Sequence, residues 1–316
     1  IEEALLLRDK NFSKRIVVAG AFRTKDLVVA AQQQQIELEL VNSDSLDLLQ
    51  SLLLSHPPLK IHIKLNTGLN RLGFGESELS DVMNRLRETP NLQIQGLFSH
   101  LANSEDPQSL QTVHQISTFK EIIQQYPGYE NHIASSVGAL VIPEAHFDIV
   151  RVGISTYGLW PSPEVEILWH KQHPNVISSP FSRALQFRST IVHISELDAG
   201  EPIGYGGSFT TKRPTRIAIL PCGYYEGLPR AWSNKASVLV CGKKAPVIGR
   251  IAMNMTTIDI TDIPAANETS IVTIIGQDGD ILLTAEEQAA FGDTINYELL
   301  ARLPNFIPRK NNGLMR

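Results

Sequence analysis

Phe147-Asp148-Ile149-Val150-Arg151-Val152-Gly153 sets one permanent cation in an apolar run that ends on a glycine. The pattern predicts a buried strand. A buried guanidinium without a partner costs several kcal/mol, so a planar or anionic group is expected against Arg151. Gly153 would let a backbone approach it closely. The competing reading is an interior arginine paired with a structural carboxylate. What separates the two is how many other polar residues stand just past the ends of apolar strands.

Upstream of this stretch, strand and helix signals alternate. Strands are predicted at Ile16–Ala19, Ile36–Val41, Lys60–Leu65, Leu92–Ser99 and His132–Ser135, with Asp148–Val152 completing the series. Between them, Ala4 to Leu7 close an amphipathic helix, Lys25–Gln33 follows Thr24, and Asp44–Leu54 follows Ser43. Gln32 to Gln35 read as a solvated helix end. Leu79, Val82, Met83 and Leu86 fall at helical spacing. Asp106-Pro107 is expected to open a helix whose apolar face runs through Leu110, Val113, Phe119 and Ile123.

Mostly continuous apolar strands alternating with helices predict a parallel sheet with helices outside it, as an open doubly wound sheet or a closed barrel. No GxGxxG follows the first strand, which weighs against a dinucleotide fold. Polar residues cluster after the strands: Asn66 to Arg71, His100, Ser135-Ser136 and Gly153. In a (β/α)8 barrel these positions form the C-terminal rim, where chemistry is done. Only about six barrel strands are counted where the closed fold has about eight. A barrel short of two staves would expose long apolar edges. With a helical pattern already under way at Ile1, the expectation is a fragment lacking its first strand, first helix and second strand.

After Trp160 the pattern passes through the proline-spotted Pro161–Pro180 to short β segments with glycine turns. Strands are predicted at Ala184–Ile194, Ile203–Phe209, Arg216–Leu220, Ala236–Val240, Pro246–Ile248 and Thr256–Ile260. Cys241-Gly242-Lys243-Lys244 is the expected hairpin turn, and short helices are placed at Ala285–Phe291 and Asn296–Ala301. The fold class is therefore α/β, an incomplete (β/α)8-type barrel over residues 1–170 followed by a mainly β domain over 171–316.

The 316 residues are 42% hydrophobic and 19% charged, enough for two domains with real cores. A net charge of -5 and the lack of a basic cluster interleaved with aromatics argue against nucleic acid. The 2 cysteines, Cys222 and Cys241, have neither CxxC nor histidine spacing, so no disulfide framework or zinc site is expected and a reducing cytoplasm fits. No apolar run is long enough to span a bilayer.

Lys64-Leu-Asn-Thr-Gly-Leu-Asn-Arg71-Leu-Gly-Phe74 resembles the barrel signature of bacterial alanine racemases. Gly96-Leu-Phe-Ser-His100, His132-Ile-Ala-Ser-Ser136, Asp148 to Gly153 with Tyr157-Gly158-Leu159, Gly204-Tyr205-Gly206, Gly223-Tyr224-Tyr-Glu-Gly227, Gly249-Arg-Ile-Ala-Met253 and Thr294-Ile-Asn-Tyr297-Glu298 resemble further family blocks, in family order. The resemblance implies a pyridoxal 5'-phosphate enzyme that removes the α-proton of alanine from one face and returns a proton on the other, supplying D-alanine for peptidoglycan. It also implies a homodimer in which each second domain completes its partner's site.

In the resemblance Tyr205 is one catalytic base. A phenol with a pKa near about 10 needs help at neutral pH, and His100 matches the histidine that bonds it. Without the resemblance, His100 would read as a satisfied core residue. Arg151 matches the group facing the pyridine nitrogen, where a cation opposes protonation of the ring and weakens the cofactor as an electron sink. Ser136, Gly153 and the Ile154 amide match the phosphate cup. Arg71 matches the arginine near the cofactor phenol and the substrate carboxylate, and Lys64 a supporting lysine that in relatives can carry a carbamate. Met253 matches a substrate contact made across the dimer. Tyr224 narrows the entrance in this reading, or is a core aromatic after a strand.

The chain departs from the family pattern at Asn66, Ser135, Glu226 and Asn254, and Pro304-Asn305-Phe306 lacks a phosphate-contacting tyrosine found in some relatives. The motif carrying the Schiff-base lysine is absent from these residues, and Lys64 lies too far along the chain to be that lysine. As written, the chain is expected to be inactive. Two alternatives stand beside alanine racemisation: a non-catalytic relative that binds the cofactor or an amino acid, and a racemase of another amino acid. Related decarboxylases usually place an acid at the pyridine nitrogen, so Arg151 argues against them.

Overall fold

A computed structural model describes residues 1–311 apart from 53, 55 and 56. They divide into two compact units, Ile1–Thr156 with Trp160–Ser178, and Tyr157–Leu159 with the chain from Ser179 onward.

In the first unit the order is α1 (Glu2–Asp9), β1 (Val17–Val18), α2 (Lys25–Gln33), β2 (Glu37–Leu40), α3 (Ser43–Gln50), β3 (Leu59–Lys64), α4 (Glu76–Glu88), β4 (Leu92–Phe98), α5 (Leu110–Gln125), β5 (Glu130–His132), α6 (Ser136–Val141) and α7 (Pro163–Gln172). The strands pair in sequence order, all parallel, and curl into a half-barrel. Its two faces differ in chemistry because side chains alternate along a strand. Leu38, Leu40, Ile61, Ile63 and Leu97 turn one way and are fully buried; α2 packs on β2 and β3, and α4 on β4. Glu37, Glu39, His62, Lys64, Gly96, Phe98 and His132 turn the other way and line the inner face.

Helix starts follow capping chemistry. Asn42, not Ser43, caps α3 by accepting from the Ser45 amide at 3.0 Å, and Leu53 of the expected helix lies outside the described residues. The expected start at Asp106-Pro107 is likewise corrected: Ser109 caps α5, accepting from the Thr112 amide at 3.1 Å. The buried stripe is Thr112, Gln115, Ile116, Phe119 and Ile122, not the expected face through Leu110, Val113, Phe119 and Ile123, and Leu110 is 89% exposed. The polar members of the stripe are satisfied. Thr112 Oγ1 donates to Asn103 O at 2.6 Å, and Gln115 Nε2 donates to His100 O at 3.1 Å while its Oε1 accepts from the Ala102 amide at 2.8 Å. Gln115 thus braces the loop that carries His100.

Asp148–Val152 is not a ladder strand. It runs beside β5 through amide bonds from Asp148 to Asn131 O (2.9 Å) and from Arg151 to Ala134 O (3.0 Å), and Val150 and Val152 remain exposed. Among the described residues no strand pairs with its far side, so the sheet holds five strands and this segment flanks it. α7, headed by Ser162 and Pro163, stands where a proline-spotted connection was expected.

The second unit contains β6 (Phe187–Thr190), β7 (His193–Leu197), β8 (Pro202–Ile203), β9 (Phe209–Thr210), β10 (Thr215–Leu220), β11 (Ser237–Val240), β12 (Lys243–Pro246), β13 (Thr256–Asp259), β14 (Ile271–Asp278), β15 (Ile281–Leu283), α8 (Ala285–Phe291) and α9 (Asn296–Ala301). All its strand pairings are antiparallel: β13-β10-β7, β12-β11-β14-β15 with β6 also on β14, and β8-β9. Cys241 and Gly242 both have left-handed φ (51° and 72°), giving a two-residue hairpin turn, so Lys243 and Lys244 already belong to β12. The expected single strand Ile203–Phe209 is instead two short strands around a one-turn 3-10 segment, Tyr205–Gly207. β14 and β15 complete the sheets beyond the strands read from sequence. No described helix is long and apolar enough to cross a membrane.

Candidate active site

The inner face of the half-barrel is built in two tiers by strand register. In the lower tier Glu37 of β2 meets His62 of β3, Oε2 to Nε2 at 2.9 Å, and His62 Nδ1 lies 3.0 Å from His132 Nε2 on β5. A Cβ at Gly96 of β4 would stand 2.4 Å from His62 Nδ1, so glycine there makes room for the ring. Arg15, just before β1, closes this tier. It donates to Glu37 from Nε (2.8 Å) and Nη2 (2.6 Å), and to Glu130 from Nη1 (2.8 Å) and Nη2 (2.5 Å). Burial alone would raise the Glu37 carboxyl, but the hydrogen bonds from His62 and Arg15 outweigh it and bring the pKa down to about 2.

Two residues further along each strand the upper tier holds Glu39, Lys64, Phe98 and His132. Lys64 is 8% exposed, with Nζ 5.1 Å from the Phe98 ring centroid, and Arg151 Cζ stands 5.5 Å from the same ring. Phe98 also stacks on His132 at 5.0 Å. Burial lowers the Lys64 amine below its ordinary value and raises the Glu39 carboxyl to about 7, against the opposing charges of Lys64 and Arg151. Glu39 is 3% exposed, and its carboxyl has no hydrogen-bond partner among the described residues.

Arg151 is held by carbonyls and rings, not by the structural carboxylate of the competing reading. Nη2 donates to Ser99 O at 2.7 Å and Ile133 O at 3.3 Å and approaches His100 Nδ1 at 3.3 Å; Nη1 lies 2.5 Å from His132 Nδ1. Its Nε–H has no acceptor among the described residues. His100 is pushed down to about 4, by burial first and then by the charges of Arg151, Arg71 and Lys64, so its ring is neutral at neutral pH. His132 falls to about 2, again through burial and the neighbouring Arg151.

Beside Arg151, the Gly153 amide donates to Ser136 Oγ at 2.9 Å, and Ile154 opens the one-turn 3-10 segment Ile154–Tyr157. A Cβ on Gly153 would meet nothing nearer than Ser136 Oγ at 4.0 Å, so the space above this corner is open. Ser155 Oγ is buried without a partner among the described residues. Arg71 stands exposed on the loop after β3, without a hydrogen bond among the described residues. That loop is organised by Asn66, whose Oδ1 accepts from the amides of Gly68 (3.2 Å) and Asn70 (3.0 Å). The departure at Asn66 therefore retains the acceptor that an aspartate would supply.

Lys64, His100, Ser136, Arg151, Gly153 and Ile154 thus belong to the first unit, which brings Lys64, Arg151 and His132 round the Phe98 ring and sets His100 against Arg151. Tyr205, Tyr224 and Met253 belong to the second. There Tyr205 tops its 3-10 turn, 72% exposed, with Gly204 and Gly206 packed on Arg250. The Tyr224 amide donates to Ala252 O at 3.1 Å and the Tyr225 amide to Met253 O at 2.9 Å, so the two blocks are one structure. Two departures meet here. Glu226 Oε1 accepts from Asn254 Nδ2 at 2.8 Å, and Oε2 accepts from the Gly223 amide at 2.8 Å. A carboxylate facing an amide avoids the like-charge contact that two acids would make.

Glu37, Glu39, His62, His132, Phe98 and Arg15 were missed as site residues. Their signal was the period-2 alternation in Glu37-Leu38-Glu39-Leu40 and Ile61-His62-Ile63-Lys64, which marks one polar face on a strand otherwise read as continuously apolar.

Residues 1–161 match the family model "Alanine racemase, N-terminal domain" and residues 184–311 match "Alanine racemase, C-terminal domain". An alanine racemase of Leptospira interrogans serovar Lai is 38% identical over 320 residues, covering 98% of this chain and 80% of that protein. The crystal structure of alanine racemase from E. faecalis superposes with a TM-score of 0.87 at 26% identity, over 98% of this chain and 82% of the other. That of Bartonella henselae, with covalently bound pyridoxal phosphate, has a TM-score of 0.81 at 28% identity, over 96% and 80%. With both family models matched in order along the chain, this protein belongs to the alanine racemase family.

Proposed function

We propose that this protein interconverts L- and D-alanine with pyridoxal 5'-phosphate held at the mouth of the half-barrel. The observation that carries the reading is the state of Arg151. Its Nη atoms are committed to Ser99, Ile133 and the two histidines, while its Nε–H is left without an acceptor beside an open corner formed by Ser136 and Gly153. That donor suits a ring nitrogen, and the Ser136 hydroxyl, its oxygen held by the Gly153 amide and its proton left to donate, suits a phosphate together with the Ile154 amide.

The cofactor supplies a conjugated ring that withdraws electrons from the substrate α-carbon. This chain's residues decide how far that withdrawal goes. Arg151 is cationic and donates, so it disfavours a proton on the ring nitrogen, and the α-proton is handed from one base to another more readily than it is released. Arg71 faces the substrate carboxylate, and Lys64 supports that rim from below. Tyr205 of a second copy works one face of the α-carbon. Neutral His100, with Nδ1 turned to Arg151, keeps Nε2–H as a donor to the phenol oxygen. Met253 and Tyr224 of the same second copy contact the substrate and narrow its entrance, and the active species is a homodimer.

The test uses the protein expressed from its whole reading frame. Bound pyridoxal phosphate is followed by its visible absorbance, and racemisation by the decay of L-alanine optical activity. Cofactor-dependent decay that Arg151→Ala and Ser136→Ala weaken is expected. A protein that retains the cofactor and leaves L-alanine optically unchanged sinks the proposal.

A further inference from the structure

Four side chains cross the inner face as one continuous hydrogen-bonded line: Arg151 Nη1 to His132 Nδ1 (2.5 Å), His132 Nε2 to His62 Nδ1 (3.0 Å), and His62 Nε2 to Glu37 Oε2 (2.9 Å). Both ring nitrogens of both histidines are used, so the protons can be assigned by elimination. A guanidinium only donates, so His132 Nδ1 holds a lone pair and its proton is on Nε2. That proton points at His62 Nδ1, which must then be the acceptor, leaving His62 with its proton on Nε2. The line ends on a carboxylate, which only accepts.

We propose that Glu37 is a positioning residue for Arg151, acting at a distance by fixing this relay in one direction, Arg151 to His132 to His62 to Glu37, with both rings held as neutral Nε2–H tautomers. Its effect on racemisation rests on the role of Arg151 proposed above; the tautomers themselves do not.

The direction is set at the Glu37 end. His62 is fully buried and has no water-facing edge from which to choose its own tautomer. Arg15 Nη2 also approaches His62 Nε2, at 3.2 Å, but that guanidinium is already shared between Glu37 and Glu130, and the nearer carboxylate oxygen takes the ring proton. Glycine at position 96 leaves the His62 ring the space to lie against His132. If the terminal group donated instead, the sequence of protons would reverse. His132 would then present Nδ1–H to the Arg151 Nη1–H across 2.5 Å, two donors facing each other, and Arg151 would have to leave its place.

Glu37→Gln makes that reversal without changing the shape of the side chain. Glu37 accepts from Arg15 at both oxygens and from His62 at one. Glutamine has a single oxygen: on the Oε1 side it meets two cations, Arg15 Nε at 2.8 Å and Lys60 Nζ at 3.7 Å, and on the Oε2 side one, Arg15 Nη2, which Glu130 also holds, so the oxygen takes the Oε1 side and the NH2 faces His62 Nε2. Glu37→Asp keeps an acceptor-only group.

The experiment is 15N NMR of the imidazole nitrogens in the whole protein labelled at histidine, with His62 and His132 assigned from single His→Asn variants. Expected in the wild type is Nε2 protonated and Nδ1 unprotonated in both rings. Glu37→Gln moves the His62 proton to Nδ1, whereas Glu37→Asp keeps the wild-type pattern. In the same proteins kcat/KM for alanine falls about tenfold in Glu37→Gln, the scale of one hydrogen bond to a charged group, and Glu37→Asp restores most of it. A wild type with either Nδ1 protonated, or a Glu37→Gln protein with unchanged tautomers, overturns the relay. If Glu37→Gln does not fold, the wild-type spectrum alone still decides. Wild-type tautomers as assigned in a protein that does not racemise alanine would uphold the relay and count against the proposed function.

Discussion

Gly96→Ala puts one methyl group at the crossing of β4 and the His62 ring. The added Cβ would stand 2.4 Å from His62 Nδ1, 2.9 Å from His62 Cε1 and 2.6 Å from the backbone oxygen of Glu130. None of these neighbours is a flexible side-chain tip. Glu130 is the ladder partner of Gly96, and the ring is pinned between Glu37 at 2.9 Å and His132 at 3.0 Å. Relief therefore requires either a shift of the strand pair or expulsion of the ring, which breaks its bond to His132. Overpacking of this kind costs ~1–3 kcal/mol, and leaving a buried ring nitrogen unpaired adds ~1–3 kcal/mol. We expect a loss of about 2–6 kcal/mol, read as a lower urea midpoint with an unchanged slope. Gly20→Ala is the control. Its Cβ would meet nothing within 4 Å and its φ lies outside the left-handed region, so it should be neutral or stabilising by a few tenths of a kcal/mol. A Gly96→Ala protein within ~0.5 kcal/mol of wild type would refute the idea that the ring is held without slack, since that is the range of an ordinary surface substitution.

Three further outcomes follow from particular groups. Glu39, raised from 4.5 to about 7 by burial, binds a proton more tightly folded than unfolded; its contribution is full below pH 4.5 and is lost as pH rises through 7, roughly 3 kcal/mol that Glu39→Gln should abolish in urea titrations at pH 5 and 8. Iodoacetamide at neutral pH should label exposed Cys241 and spare Cys222, whose thiol burial pushes up to about 11; peptide mapping that finds Cys222 alkylated first would contradict this. Tyr205→Phe should slow racemisation by about 10²-fold or more, equally in both directions because the equilibrium constant is one, and should suppress exchange of the α-hydrogen with solvent deuterium in one enantiomer more than in the other; equal small losses of exchange in both would remove it from that role.

The fold was legible because the strands of the half-barrel announce themselves. Leu38 and Leu40, or Ile61 and Ile63, make apolar strands whatever stands between them, and α2, α8 and α9 begin and end where the sequence places them. The misplaced helix start at Asp106 has a local cause. Asp, Pro and Ser all favour a first turn, and only tertiary packing of Thr112 and Gln115 against the loops at Asn103 and His100 selects Ser109. The stretch around Arg151 misled for a different reason. Its valines have strand propensity, but among the described residues no strand pairs with its far side, and the extended chain is held by a few amide bonds and by its arginine.

The relay and the upper tier were not legible, because their meaning lies in partners that the sequence keeps far apart. Glu37 and Glu39 are the same residue type, two positions apart on one strand, turned to one face and each 3% exposed. From the strand alone they are equivalent. Glu37 lies beside His62 and within reach of Arg15, 22 residues upstream, and is held near a pKa of 2; Glu39 lies beside Lys64 and Arg151 but bonds neither, and rises to about 7. Burial pushes both in the same direction, so what pulls Glu37 down is the set of hydrogen bonds and charges that His62, by strand register, and one distant arginine supply. One acid thereby stays ionised as the fixed end of a line of protons that reaches Arg151. The other is a carboxyl that gains its charge near neutral pH, among the same cations that would receive the cofactor and the substrate carboxylate.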